Sequence, residues 1–181
     1  VHVFTLSSAL DTIDFEGGVF VHRVERRWRP EVVSPINVSL SQASIDIMTS
    51  LSDAVRNCNE EAPFDIISTP IWELPGLPLL TEGKLPVILT AHSAYASIRP
   101  YKPEWGPDTE YGRLHVEPMI AAEQWAWQNA PNVICNSDVI VTEFSHLYGE
   151  RNTDGIMKVP HGIESAKLVV PSEATEAAWV S

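Results

Sequence analysis

Short apolar runs alternate with stretches of helical period along this chain, and a parallel sheet crossed by helices is what such an alternation builds. The clearest run is Pro86-Val87-Ile88-Leu89-Thr90-Ala91-His92, apolar at odd and even positions alike, as a strand covered on both faces must be. Other strands are expected at 1–6, 18–24, 64–69, 132–136 and 156–160. A helix is expected over 41–61, where Ile47, Met48, Leu51, Ala54, Val55 and Cys58 share one face and Ser39 or Ser41 can cap it. A second should run from about 112 to 129, with Pro118 an awkward interior residue. A third spans 138–147, capped by Ser137 or Asp138 and stopped by Gly149. Residues 25–38 read as a loop and Gly17-Gly18 as a turn, while Pro75, Gly76 and Pro78 leave room for a short helix at best. Residues 93–111, rich in aromatics, form the longest irregular segment; loops of that length are usually functional or disordered.

A chain of 181 residues, 44% of them hydrophobic, can bury one sizeable core. Its 12 basic and 24 acidic residues give a formal charge of -12, which repels a phosphate backbone and argues against nucleic acid as a partner. The run from His22 to Arg29 concentrates four arginines and reads as a solvated strand end and loop. Cys58 and Cys135 lack metal-ligand spacing; a buried, reduced thiol is expected at Cys135, in keeping with a cytoplasmic setting. No apolar stretch approaches the roughly 20 residues of a membrane helix, and no signal-peptide pattern opens the chain. Val1-His2-Val3-Phe4-Thr5-Leu6 starts it inside a strand, as a truncated domain would.

Ligands of open parallel sheets collect outside the carboxyl ends of the strands. The residues that follow the expected strands are Trp72-Glu73, His92-Ser93-Ala94-Tyr95, Asn136-Ser137-Asp138 and His161-Gly162-Ile163-Glu164. Each end delivers a polar or ionisable group to one crevice. A neutral imidazole at His92 can donate and accept, which suits a sugar hydroxyl or a structural hydrogen bond equally. Glu73 beside Trp72 can accept from hydroxyls next to an aromatic face. Glu123, on a face with Ile120 and Trp127, needs a partner, through either an ion pair or a role in the site. No GxxxxGK phosphate loop, GxGxxG, HExxH or GxSxG is present.

The segments VHVFTLS, GGVFVHRV, FDIISTPIWELPGLPLL, LPVILTAHSAYAS, AAEQWAWQNAPNVICNSD and KVPHGIE, in this order, resemble the N-terminal half of glycosyltransferase family four, over residues 1 to about 164. The resemblance implies an α/β, Rossmann-like parallel sheet with helices on both faces, the first of the two domains of a retaining GT-B enzyme. Residues 1–164 would be that domain and 165–181 a linker or tail. The first domain would bind the sugar acceptor and the second, absent here, a nucleotide-sugar donor. No cofactor and no essential metal are implied. His92 matches the family histidine that faces the donor sugar, and is the expected catalytic residue. Trp72 and Glu73 match the acceptor-pocket segment, with Ser93 and Tyr95 beside them. Asn136 and Ser137 match the next strand end, and His161-Gly162 stands where many relatives carry Asn-Gly.

Two departures stand out. The family's first strand with its glycine-rich loop is missing, and so is the donor domain. The missing strand would leave an apolar slot between the strands at 1–6 and 64–69, and a homodimer of the fragment is expected to cover it. Alone, the fragment should be inactive; the parent should pair it with the C-terminal donor domain and is compatible with peripheral membrane association. The alternatives are a non-catalytic Rossmann-like module that binds sugar or nucleotide, and a purely structural or protein-interaction domain.

Overall fold

The computed structural model describes residues 1–162; the expected tail at 165–181 lies outside them. Three strands open the chain: β1 (His2–Ser7), β2 (Thr12–Glu16) and β3 (Val19–Glu25). The third lies between the others, parallel to β1 and antiparallel to β2. The sequence reading missed β2. Its Thr-Ile-Asp-Phe-Glu alternation buries neither face, since all five residues are exposed. The strand is held by backbone pairing and by Arg23 of β3, which bridges Asp14 and Glu16. The turn between them is Gly17-Gly18, with φ of 56° and 87°, the pair of positive angles that two-residue hairpins favour. The basic run is largely neutralised: Arg27 pairs with Asp11, and Arg29 with Asp53 at 2.8 Å.

Helix α1 (Gln42–Glu61) starts at Ser41, whose hydroxyl accepts from the Ser44 amide at 3.2 Å, the capping role expected of Ser39 or Ser41. Ile45, Met48, Leu51 and Val55 are buried on one face, with Ile47, Ala54 and Cys58 half-buried. That face packs against β1, β3 and the short α2 (Leu77–Glu82), which follows β4 (Ile67–Pro70). Strand β4 begins at Ile67 rather than at 64, and Phe64 packs its ring edge-on against His2 instead.

The remaining chain builds a second sheet. After β5 (Val87–Ala91) and a four-residue α3 (Tyr95–Ile98) come α4 (Glu117–Asn129), β6 (Val133–Cys135), α5 (Asp138–Tyr148) and β7 (Ile156–Lys158). The order is β4-β5-β6-β7, every pair parallel. Helices flank this sheet, and the core gathers around Leu89, Trp127 and Phe144, all at 0% exposure. The expected helix over 112–129 is corrected in its first part, because Gly112–Val116 is a π-helical turn. Pro118 follows directly on that turn, whose wider spacing has the Glu117 N–H bonded to the Gly112 carbonyl, and the π-helical turn is where the continuous helix accommodates a residue without an N–H. Gly112 is needed there: a Cβ would stand 1.9 Å from the Gly106 carbonyl oxygen. Helix α5 is capped by Ser137 and ends at Gly149.

The two sheets do not join. Strands β1 and β4 each end their own sheet, and both line one apolar slot of about 680 Å³ with Val55, Phe64 and Leu79 among its walls. Both cysteines are free thiols, Cys135 buried, and burial raises the pKa of each. Among the described residues no helix is long and apolar enough to cross a membrane.

Candidate functional site

The carboxyl ends of β4 to β7 open on one side, and the expected residues fall there in two groups. The first surrounds His92. Strand β5 is buried to Ala91, and the chain then emerges, leaving His92 and Ser93 exposed. The His92 ring lies 5.3 Å from that of His161, centroid to centroid. Asn136, just past β6, bonds His161 Nε2 through its amide nitrogen at 2.9 Å. An amide nitrogen can only donate, so in this pairing Nε2 is the acceptor. Ser137 spends its hydroxyl lone pair on the α5 cap, at 3.4 Å from the Ile140 amide, and donates to Asn136 Oδ1 at 3.3 Å. Gly162 follows with open space where a Cβ would stand. This edge of the crevice thus carries two imidazoles side by side, one of them oriented by an amide.

The second group is an aromatic pillar after β4. Trp72 stacks on Tyr95 at 4.5 Å and Tyr95 on Trp105 at 4.9 Å. Tyr95 is only 1% exposed. Its hydroxyl donates to Glu73 and lies 3.2 Å from His115 Nε2, and Tyr111 stacks on that imidazole at 4.9 Å. Burial, then the Glu73 carboxylate, pushes the Tyr95 phenol far up, so it remains a neutral donor. Tyr95 holds the pillar from inside, while the half-buried Trp72 and Glu73 present it outward. Glu73 and Leu74 have φ of 59° and 46°, a left-handed conformation that costs a non-glycine residue about 1–3 kcal/mol and clusters at ligand sites.

Beneath the pillar lies Glu123, with 0% exposure. Among the described residues no cation meets it, so the ion-pair reading is corrected. Its Oε2 accepts from the Tyr95 amide at 2.8 Å and from the Tyr148 hydroxyl, while Oε1 has no partner. Burial lifts its pKa to about 8, against the pull of those two hydrogen bonds, so near neutrality a protonated carboxyl is the main form. Helix α4 is thereby tied to the turn that carries Tyr95.

His115 and Tyr148 were not singled out by the sequence, whereas Glu123 was weighed there between an ion pair and a role in the site. The four-residue spacing of Tyr111 and His115 is a legible helical pair, but its neighbour Tyr95 comes from another segment. Tyr101, one of the aromatics of the irregular segment, is 81% exposed and does not join the pillar. Among the described residues no group of three metal-ligand side chains lies at the crevice.

A parallel four-strand sheet flanked by helices, with polar groups at successive carboxyl ends, defines a Rossmann-like α/β domain. The family model of Glycosyltransferase Family 4 matches residues 1–167, and the chain belongs to that family. It is a glycosyltransferase domain. No curated protein matches the chain.

Proposed function

We propose that this chain is the acceptor-binding half of a retaining GT-B glycosyltransferase, which transfers a sugar from a nucleotide-sugar to an acceptor in the cytoplasm. The observation that carries the reading is the convergence of His92, His161 and Asn136 at adjoining strand ends. His92 is exposed and free to bond a sugar hydroxyl, while His161 is already oriented by Asn136. The Trp72 face and the Glu73 carboxylate are suited to an acceptor, through stacking and through hydroxyl hydrogen bonds. Ser93, beside His92, adds a hydroxyl to the same rim. A donor domain closing over this rim would exclude water and bring the donor sugar against His92, a gain in proximity of several kcal/mol, about 7–11 at most.

The test is His92→Ala in a two-domain parent. Loss of a preorganised hydrogen bond made mainly in the transition state should cost turnover about 10²-fold or more, with an unchanged circular dichroism spectrum. Near-normal turnover would make His92 structural and favour a non-catalytic binding module. Residues 1–181 alone should transfer no sugar from a panel of nucleotide-sugars; turnover by this chain would overturn the two-domain reading.

A further inference from the structure

At the end of the molecule away from the crevice, three side chains from three elements converge. His2 opens β1, His22 lies within β3 and Cys58 stands in the last turn of α1. His2 Nδ1 is 2.9 Å from His22 Nε2 and 3.4 Å from Cys58 Sγ, and each of the three residues offers a ligand atom within 4.8 Å of the other two. A tetrahedral zinc, with nitrogen at about 2.0–2.1 Å and sulfur at about 2.3 Å, has edges of about 3.3 Å between nitrogens and about 3.6 Å from nitrogen to sulfur. The Cys58 edge at His2 is close to that size, while the His22 edge, at a hydrogen-bond distance of 2.9 Å, would have to open slightly on binding.

Hydrogen bonds among the three account poorly for the arrangement. His2 Nδ1 carries either one proton or one lone pair. With the proton it satisfies His22 and can take nothing from the thiol; with the lone pair it is shared between two donors. A cation instead takes one lone pair from each atom at once. The rings are also held in place: Phe4 stacks on His22 at 4.4 Å and Phe20 on His2 at 4.9 Å, the packing that fixes ligands before a metal arrives. Beside His22 and Cys58 lies a hollow of about 210 Å³, lined also by Asp11, Asn57 and Glu61, which leaves room for a fourth ligand.

We propose that His2, His22 and Cys58 form a site for a zinc-class divalent ion that clips β1 and β3 to the end of α1, with water or the Glu61 carboxylate in the fourth position. Two imidazoles and a thiolate select such an ion over magnesium or calcium. Binding displaces the thiol proton of Cys58 to solvent, and no electron is transferred. The role is structural. The small sheet carries a strand with no buried residue, so a clip between its other two strands and α1 adds cohesion where the apolar core adds little.

Titration of the metal-free full chain with cobalt(II) tests the site. One equivalent should bring in tetrahedral d–d bands and a thiolate-to-cobalt charge-transfer band, both removed by zinc. Cys58→Ser should lose the charge-transfer band, and His22→Asn should weaken binding beyond the about 10–100-fold that loss of an outer-shell partner costs. His146→Asn, in α5, should change neither. Zinc should raise the melting temperature of the parent chain and not that of Cys58→Ser, with circular dichroism confirming that each variant is folded. No cobalt spectrum with the parent chain, or a charge-transfer band that survives Cys58→Ser, would overturn the proposal.

Discussion

The phenol of Tyr95 donates its hydrogen bond to the carboxylate of Glu73, and so ties the turn after β5 to a left-handed residue after β4. Two strand ends that are neighbours in the sheet are joined above it by one buried side chain. The exposed faces of Trp72 and Glu73 are thereby fixed relative to His92, which precedes Tyr95 by three residues.

Removing that hydroxyl should be felt in both stability and acceptor binding. Tyr95→Phe keeps the stack on Trp72 and Trp105 but leaves the half-buried Glu73 carboxylate without its donor. A loss of about 1–3 kcal/mol is expected, read from urea unfolding, together with a raised acceptor KM in the two-domain enzyme. A variant as stable as the parent chain would show that Glu73 is satisfied by solvent.

Glu123 should impose a pH dependence of definite sign. Its pKa is raised from 4.5 to about 8 by burial. Between those values the folded protein keeps a proton that the unfolded chain has lost, so stability falls as pH rises through this window and levels off outside it. Glu123→Gln places an amide oxygen where Oε2 accepts from Tyr95 and Tyr148 and carries no charge to desolvate. Denaturant midpoints measured between pH 5 and 8 should therefore decline for the parent chain and stay flatter for the variant. Equal slopes would mean that the carboxyl titrates near its ordinary value.

Arg151 closes the carboxyl end of α4 from outside the helix. Its guanidinium donates to the Trp127 carbonyl at 2.5 Å and the Ala130 carbonyl at 2.6 Å, and lies over the Trp127 ring at 5.3 Å. Burial lowers its pKa, yet a guanidinium remains charged, and a cation at a helix carboxyl end is favourable. Arg151→Ala should cost about 1.5–3 kcal/mol in thermal or denaturant melts. Arg151→Lys should recover only part, because an ammonium cannot span both carbonyls in one plane; full recovery would reduce the contribution to charge alone.

Among the described residues, the slot between β1 and β4 presents two unpaired strand edges across apolar walls. Unmet backbone groups buried there would cost about 1–3 kcal/mol each, and a free β edge is a template for another chain. The isolated chain is expected to dimerise at micromolar concentration by light scattering coupled to size exclusion. A monomer with a cooperative melt would mean that the slot is filled from within the chain.

The sequence by itself determined the elements whose causes are local. The nearly all-apolar run at 86–91 became the largely buried β5, Ser41 and Ser137 became caps, Gly149 a stop, and the polar residues after β4 to β7 lie past the carboxyl ends of one parallel sheet. These follow from side-chain period, capping chemistry and backbone freedom, which act over a few residues. Strand β2 escaped because its alternation buries nothing, so the hydrophobic signal had no core to report. Tertiary structure alone decided the pairings: Asn136 with His161, 25 residues apart, and Tyr95 with Glu123, 28 apart. It also turned Tyr95 from a rim residue into a buried post and left Glu123 with hydroxyl and amide donors in place of a cation. The order of strands in the sheet sets which residues meet, and that order comes from burying many apolar faces together, a cooperative balance that no short window of sequence contains.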